Sequence, residues 1–181
     1  MLSESLAKEL SNQFNKEMYS AYLYLSMSSY AEGEGLKGAA KWLYVQSQEE
    51  MAHAMHTYQY ILDRGAQPEF TAIEAPTASF QSLTHVFEMV LAHEIAVTKR
   101  LNDVATLAMK ENDHACYQFM LWYVNEQVEE EANIKDILSK LKLIGDNKGL
   151  LLGLDSNLAG RAFINPFLDD AKMQGGGAVI F

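Results

Sequence analysis

Apolar residues recur at intervals of three and four along four long segments of the chain, and this spacing predicts amphipathic α-helices. A fifth, shorter apolar segment predicts a final short helix. The predicted helices cover approximately residues 3–32, 36–64, 80–111, 114–144 and 150–160. Gly65 and Gly145 stand directly after two of these segments, at positions where helices commonly end.

Each of the four long apolar stripes contains one glutamate near its middle. These residues are Glu17, Glu50, Glu94 and Glu130. Burying four uncompensated carboxylates at one level of a bundle would cost far more than the net stability of a domain, which is ~5–15 kcal/mol. Since the stripes carry no Lys or Arg at that level, the pattern predicts a site where metal cations offset the four charges.

The lengths of the connections predict the topology. The first and second helices are joined by almost no linker, as are the third and fourth, so each pair forms an antiparallel hairpin. The loop at about residues 66–79 reaches ~48 Å when extended, whereas a 30-residue helix is ~45 Å long. We therefore expect an all-α four-helix bundle with one long crossover between the second and third helices.

Glu50 and His53 form an E-x-x-H pair, which places a carboxylate and an imidazole on one face of a helix. On a buried stripe beside other inward glutamates, this pair is typical of di-iron bundle proteins. Carboxylate-rich ligation with nitrogen suits iron or manganese. The fourth helix is different, because Asn133 stands three residues after Glu130 and Gln127 lies one turn before it. A metal position without histidine favours metal that passes through.

Two further groups of residues have alternative interpretations. Tyr24 is two turns after Glu17 and about 20° away around the helix, so it is either a core tyrosine or a partner that binds a ligand carboxylate or gives an electron. Glu49, Glu126 and Glu129 form either a solvated acidic face or a third cation site, since Glu49 lies at the same level on the facing helix.

Composition excludes several classes of function. The net charge of −10, from 14 basic and 24 acidic residues, argues against nucleic acid and anionic membranes and suits cations. No apolar run approaches the ~18 residues that span a bilayer, and the amphipathic segment MLSESLAKEL does not have the pattern of a cleavable signal. The single cysteine, Cys116, fits a reducing compartment, and we expect a cytoplasmic protein.

The segments NKEMYSAYLY, QEEMAHAM, LAHEIAV and FMLWYVNEQVEEEAN contain the residues discussed above. Together they closely resemble the ferritins, and specifically the bacterial non-haem ferritins, over about residues 1–160. The resemblance implies a ferroxidase that oxidises Fe(II) with oxygen or peroxide. It also implies a homo-oligomer of twenty-four subunits that stores ferric mineral inside a hollow shell.

The resemblance also assigns roles to individual residues. It implies that the first iron binds Glu17, Glu50 and His53. The second iron would bind Glu94 and Glu130, with Glu50 as the bridge and Gln127 nearby. A third iron site would use four carboxylates, those of Glu49, Glu126, Glu129 and Glu130. Tyr24 matches the tyrosine of the family's site.

Haem is not expected. Met51 matches the position of the haem-ligating methionine of bacterioferritins, but Asn133 breaks the second E-x-x-H motif that those proteins carry. The ferritin-like part of the chain is predicted to cover residues 1–164. Residues 165–181, which close with QGGGAVIF, have no recognised counterpart, and we expect them to be a tail that is not part of the site.

Two other functions are compatible with a bundle of buried glutamates. One is a di-iron enzyme that oxidises an organic substrate or peroxide, which would need an access channel or an electron-transfer module. A CxxC module is excluded by the single cysteine. The other is a non-catalytic bundle whose glutamates are partly protonated. The apolar final helix, LLLGLDSNLAG, favours the ferritin alternative, because it is expected to find its partners at a subunit junction.

Overall fold

The computed structural model describes residues 1–167, and all regular structure in that range is α-helical. The helices are α1 (Glu4–Gly33), α2 (Lys37–Asp63), α3 (Leu83–Lys110), α4 (His114–Ile144) and α5 (Lys148–Leu158). The prediction of an all-α bundle with a short fifth helix is therefore confirmed. None of the described helices is long and apolar enough to cross a membrane.

Side-chain caps decide where the helices begin. Ser3 Oγ accepts a hydrogen bond from the Leu6 amide at 3.1 Å, as the predicted start of α1 requires. The helix α3 begins three residues later than predicted, because Ser82 Oγ caps it by accepting from the amide of His85. In the same way α5 begins two residues earlier than predicted, because Asn147 is its cap.

The loop between α2 and α3 runs along α1. The Leu2 amide donates to the Arg64 carbonyl at 3.2 Å, so the end of α2 lies beside the start of α1. The amide of Thr71 then donates to Asn15 at 3.0 Å, and Ser26 donates to the carbonyl of Thr77 at 2.7 Å. The loop therefore advances towards the far end of α1, where α3 begins. This is the predicted long crossover, and it makes α2 and α3 parallel.

The buried glutamates lie between two apolar clusters of the core. One cluster includes Met27, Leu43, Phe87 and Ile134, and the other includes Leu6, Ile61, Leu101 and Met120. The exposed fractions of Glu17, Glu50, Glu94 and Glu130 are 1%, 2%, 1% and 4%. The polar level in the middle of the bundle is thus held by apolar packing on both sides.

The helix α5 is held against the start of α2 at one point. The Asp155 carboxylate accepts hydrogen bonds from the amides of Gly38 at 3.1 Å and Ala39 at 2.8 Å, so it caps α2 from another helix. A Cβ on Gly38 would lie 1.7 Å from the Asp155 carbonyl oxygen, so only glycine permits this approach. The contact also sets the position of the segment that follows α5.

Of the predicted tail, residues 168–181 lie outside the described residues.

We expect Gly38→Ala to lower the free energy of unfolding by about 1–3 kcal/mol, because the backbone of α5 must shift to make room for the new methyl group. Thermal unfolding followed by circular dichroism would measure this. Gly33→Ala is the matched control, since a Cβ at Gly33 meets no atom within 4 Å. Equal melting temperatures for the two variants would contradict the close approach.

Candidate metal centre

Three predicted ligands from α1 and α2 meet in the middle of the bundle. Glu17, Glu50 and His53 each offer a ligand atom within 4.8 Å of the others, and all three side chains are buried. Glu50 and His53 are one turn apart, and Glu50 Oε2 lies 3.7 Å from His53 Nδ1. Among residues 1–167 this is the one group of three or more His, Cys, Asp or Glu side chains close enough to hold an ion.

The residues predicted for the second position lie on α3 and α4. Gln127 Nε2 donates to Glu94 Oε2 at 2.9 Å, and the Tyr24 hydroxyl donates to Glu94 Oε1. Tyr24 is fully buried in the core, and its hydroxyl is satisfied by the carboxylate of a predicted ligand, so both of its interpretations fit this contact. Glu130 is connected to Glu50 through Gln46, whose Nε2 donates to one carboxylate oxygen of each, at 3.0 and 3.1 Å.

Glutamines one turn before the ligands hold the carboxylates in place. Gln13 Nε2 donates to Glu17 Oε1 at 2.5 Å, as Gln46 does to Glu50. Gln13 and Gln46 were not among the predicted site residues, although each stands four residues before a predicted ligand and so shares its helix face. That spacing is the signal that would have identified them.

The environment raises the proton affinity of the carboxylates. Burial raises the pKa of Glu17 and Glu50 well above the ordinary value of 4.5, and neighbouring carboxylates add to the effect. Burial also raises the pKa of Glu94 to about 7, against the opposing effect of its bonds from Tyr24 and Gln127. The pKa of Tyr24 is raised well above 10 by burial and by Glu94, so its hydroxyl remains a donor at neutral pH.

Two buried carboxylate oxygens have no hydrogen-bond donor among the described residues, and both belong to predicted ligands. They are Glu17 Oε2 and Glu130 Oε2. Within residues 1–167, no Lys or Arg forms an ion pair with any of the four central glutamates. Unsatisfied oxygens beside an imidazole fit a divalent cation with oxygen and nitrogen ligands.

Aromatic rings surround His53. Trp122, Tyr123 and Phe167 lie edge-on to it with ring centroids 5.5, 5.8 and 6.1 Å away. Tyr123 also donates to the His53 carbonyl at 3.1 Å. The position of Phe167 differs from the expectation that residues 165–181 stay apart from the site. This ring also stacks on His56 at 3.8 Å, so the start of the predicted tail covers the histidine side of the centre.

The structure does not gather the residues of the predicted third site into a ligand group. Glu49 forms an ion pair with Arg161, Glu126 is half-buried and Glu129 is exposed. Burial raises the pKa of Glu49 to about 7; Arg161 opposes the rise and Glu130 adds to it. The same neighbours act on Glu126, whose pKa is raised chiefly by burial. The four carboxylates are thus electrostatic neighbours, with Arg161 among them.

Comparison with known proteins shows extended similarity. The family model described as ferritin-like domain matches residues 7–144. A probable bacterial non-heme ferritin-like protein of Haemophilus influenzae is 40% identical over 159 residues, which are 87% of this chain and 96% of that protein. A bacterial non-heme ferritin of Staphylococcus aureus is 36% identical over 163 residues, which are 90% of this chain and 98% of that protein.

Solved structures show the same similarity in three dimensions. The novel open pore ferritin from the hyperthermophilic archaeon Archaeoglobus fulgidus has a TM-score of 0.88 and 47% identity, and the match covers 90% of this chain and 100% of that chain. A closed form of the A. fulgidus ferritin engineered by site-directed mutagenesis has a TM-score of 0.89 and 46% identity, over 91% of this chain and 100% of that chain.

The raised pKa of Glu94 predicts a pH dependence for the metal-free protein. Because the folded-state pKa of Glu94 is about 7 and the ordinary value is 4.5, the folded protein binds this proton more tightly than the unfolded chain. The resulting contribution to the free energy of unfolding is complete below pH 4.5 and is lost as the pH rises through about 7. Glu94→Gln has no carboxylate to ionise, so it does not lose this stability at high pH. In chelator-treated protein, we therefore expect the melting temperature of the variant to exceed that of the wild type at pH 8 and to be close to it at pH 4.5.

Glu88→Gln is the control for this measurement, because Glu88 is an exposed glutamate on the same helix. It is expected to leave the difference between the two pH values unchanged. A gain for Glu94→Gln that is the same at both pH values would contradict the argument from burial.

Proposed function

This chain belongs to the ferritin family, and we propose that it stores iron by oxidising Fe(II) at a di-iron centre within each subunit. The ligands of the first iron are Glu17, Glu50 and His53. Those of the second are Glu94 and Glu130, with Glu50 as the bridge and Gln127 beside it. Iron is the substrate of this reaction, and oxygen or peroxide is the oxidant.

The unsatisfied oxygens of Glu17 and Glu130 carry this proposal. Four ionised glutamates supply four negative charges, and two Fe(II) ions supply four positive charges. The filled site is therefore close to neutral, which makes its burial between two apolar clusters possible.

The protein contributes orientation and charge to the reaction. Gln46 holds Glu50 and Glu130 at a set distance from each other, so that Glu50 can contact both ions. Tyr24 and Gln127 fix the two oxygens of Glu94. Each Fe(II) gives one electron, and the two electrons with two protons reduce oxygen to hydrogen peroxide or peroxide to two waters. Oxidation adds two positive charges, which hydroxide or oxide from water offsets.

The second position favours release of the product, because it has no histidine. The acidic residues beside it, Glu49, Glu126 and Glu129, offer the next set of oxygen ligands on the path out of the bundle. We therefore assign to them, with Glu130, a third iron site that receives iron after the central pair.

The exposed apolar surface of α5 supports a large assembly. Leu150 and Leu152 are 55% and 59% exposed in the single chain, and burial of such residues favours subunit association. A relative from A. fulgidus is described as an open pore ferritin. We propose a cytoplasmic homo-oligomeric shell of twenty-four subunits that holds the ferric mineral.

Removal of the bridge tests the di-iron centre. Glu50→Ala is expected to abolish the fast phase of Fe(II) oxidation in stopped-flow absorbance, because neither ion then keeps its shared ligand. His53→Ala should slow the same phase by at least about tenfold, which is a loss of about 1.4 kcal/mol of transition-state stabilisation.

Glu88→Ala is the matched control, because it removes an exposed carboxylate and should leave the fast phase unchanged. Light scattering would show that each variant keeps its assembly. Fast oxidation of wild-type rate in Glu50→Ala would show that the assigned bridge is wrong.

The assembly is tested on α5. Leu152→Asp places a charge in the proposed subunit junction, so we expect light scattering at micromolar protein to show species much smaller than the wild-type shell. Asn157→Asp is the comparison, because it adds a negative charge on the side of α5 that faces its own bundle, and it should leave the size of the shell unchanged. A wild-type protein that is only a monomer or dimer would contradict the shell.

A further inference from the structure

Arg161 lies along a stripe of α2 that ends at the metal centre. Its guanidinium stands 4.2 Å from the ring centroid of Trp42, donates from Nη1 to Gln46 Oε1 at 2.7 Å, and donates from Nη2 to Glu49 Oε2. Trp42, Gln46 and Glu49 follow each other at intervals of four and three residues, so they share one face of the helix. Arg161 thus has three partners, and one of them is a proposed ligand of the third iron.

Contacts of α5 and of the segment after it with α2 place Arg161 on this stripe. The contact of Asp155 with Gly38 and Ala39 fixes α5 on α2, and Lys41 Nζ donates to the Ala159 carbonyl at 2.8 Å. The chain then continues along α2 towards the centre. The guanidinium and the Glu49 carboxylate are both largely covered, with side chains 20% and 18% exposed, so their attraction is screened less than that of a surface pair.

The contact connects the third site to the centre through one side chain. Gln46 accepts from Arg161 with its oxygen and donates with its nitrogen to Glu50 and Glu130. Arg161 therefore fixes which end of the Gln46 amide faces the centre, since only the amide nitrogen can donate. Glu130 belongs to both the second and the third proposed sites, so the two sites share a ligand and a link to Arg161.

We propose that Arg161 is a displaceable counter-cation of the third iron site, a role that rests on the proposed function. It neutralises Glu49 when iron is absent, and a third cation must break this ion pair to use Glu49. A guanidinium and a metal ion compete for the same carboxylate oxygens, and they also repel each other. The third ion therefore binds more weakly than the two central ions, because the four central glutamates have no ion pair with Lys or Arg among residues 1–167.

The surroundings give Arg161 space to move. It lines a cavity of about 330 Å³ between α2, α4 and α5, together with Asn133, Asp136 and Asn157. The Asp136 carboxylate accepts from Lys140 Nζ with Oδ2 at 2.5 Å, and its other oxygen is a second acceptor on that wall for the displaced guanidinium. Displacement consequently needs a change of side-chain rotamers and no opening of the apolar core.

Anaerobic calorimetric titration of the chelator-treated shell with Fe(II) tests the proposal, because it counts ions and needs no turnover. We expect two tight ions per wild-type subunit and a weaker third. Arg161→Gln should lower the dissociation constant of the third ion by about tenfold, equal to ~1.4 kcal/mol. It should leave the first two ions within about twofold. The third-ion dissociation constant of Arg161→Lys should lie between those of the wild type and Arg161→Gln, because an ammonium keeps the charge but not the planar pair of donors.

Two further variants separate competition from a general change in charge or stability. Lys37→Gln removes one positive charge from the exposed first turn of α2, away from Glu49, so it should not change the affinity for the third ion. In Arg161→Gln/Glu49→Gln the gain should disappear. Circular dichroism would verify folding, and Arg161→Lys keeps the test decisive if Arg161→Gln does not fold.

A third-ion dissociation constant that stays within twofold in Arg161→Gln, or that falls equally in Lys37→Gln, would overturn the role of Arg161 alone. A wild-type shell that takes up no tight pair of ions would instead overturn the di-iron centre, and the proposal for Arg161 with it.

Discussion

The burial of four carboxylates at one level of the bundle is the constraint on which the rest of the structure depends. A buried carboxylate must be protonated, hydrogen-bonded or paired with a cation. The chain meets only part of this need, and it does so with neutral donors, which are Gln13, Gln46, Gln127 and Tyr24. Neutral donors hold the carboxylates in position and leave the space between them to a cation. A lysine at the same level would satisfy the charge permanently and fill that space.

The fold could be predicted from the sequence because a helical bundle repeats its core contacts every three or four residues. The long crossover was also predictable, since the loop length had to match the length of a helix. The predicted first residues of α3 and α5 were less accurate. There, a single hydrogen bond that the side chain of Ser82 or Asn147 accepts from a backbone amide determines the first helical residue. The apolar pattern contains no information about which polar residue forms the cap.

The central ligands were predictable for a different reason. A glutamate on an apolar stripe conflicts with its surroundings, and the conflict itself indicates a site. Gln13 and Gln46 produce no such conflict, because a neutral amide is tolerated on many helix faces. Only their position four residues before a predicted ligand marks them in the sequence, and that spacing is a weaker signal than a buried charge. The contacts of Arg161 and Phe167 were beyond prediction. They join positions more than a hundred residues apart and depend on how α5 docks against Gly38.

The described part of the chain meets the charge of the buried carboxylates in two ways at adjacent positions, and in the proposed mechanism the difference gives iron a direction of travel. At the buried centre it supplies neutral donors, and no Lys or Arg among residues 1–167 forms an ion pair with the four glutamates, so no such ion pair would oppose the binding of Fe(II) there. At the outer carboxylates it supplies Arg161, whose pair with Glu49 is partly exposed and therefore weaker than a fully buried one. Oxidised iron carries a higher charge than Fe(II) and competes better with a guanidinium for carboxylate oxygens. A site closed by a displaceable arginine thus favours the product over the substrate, which is the order that storage requires.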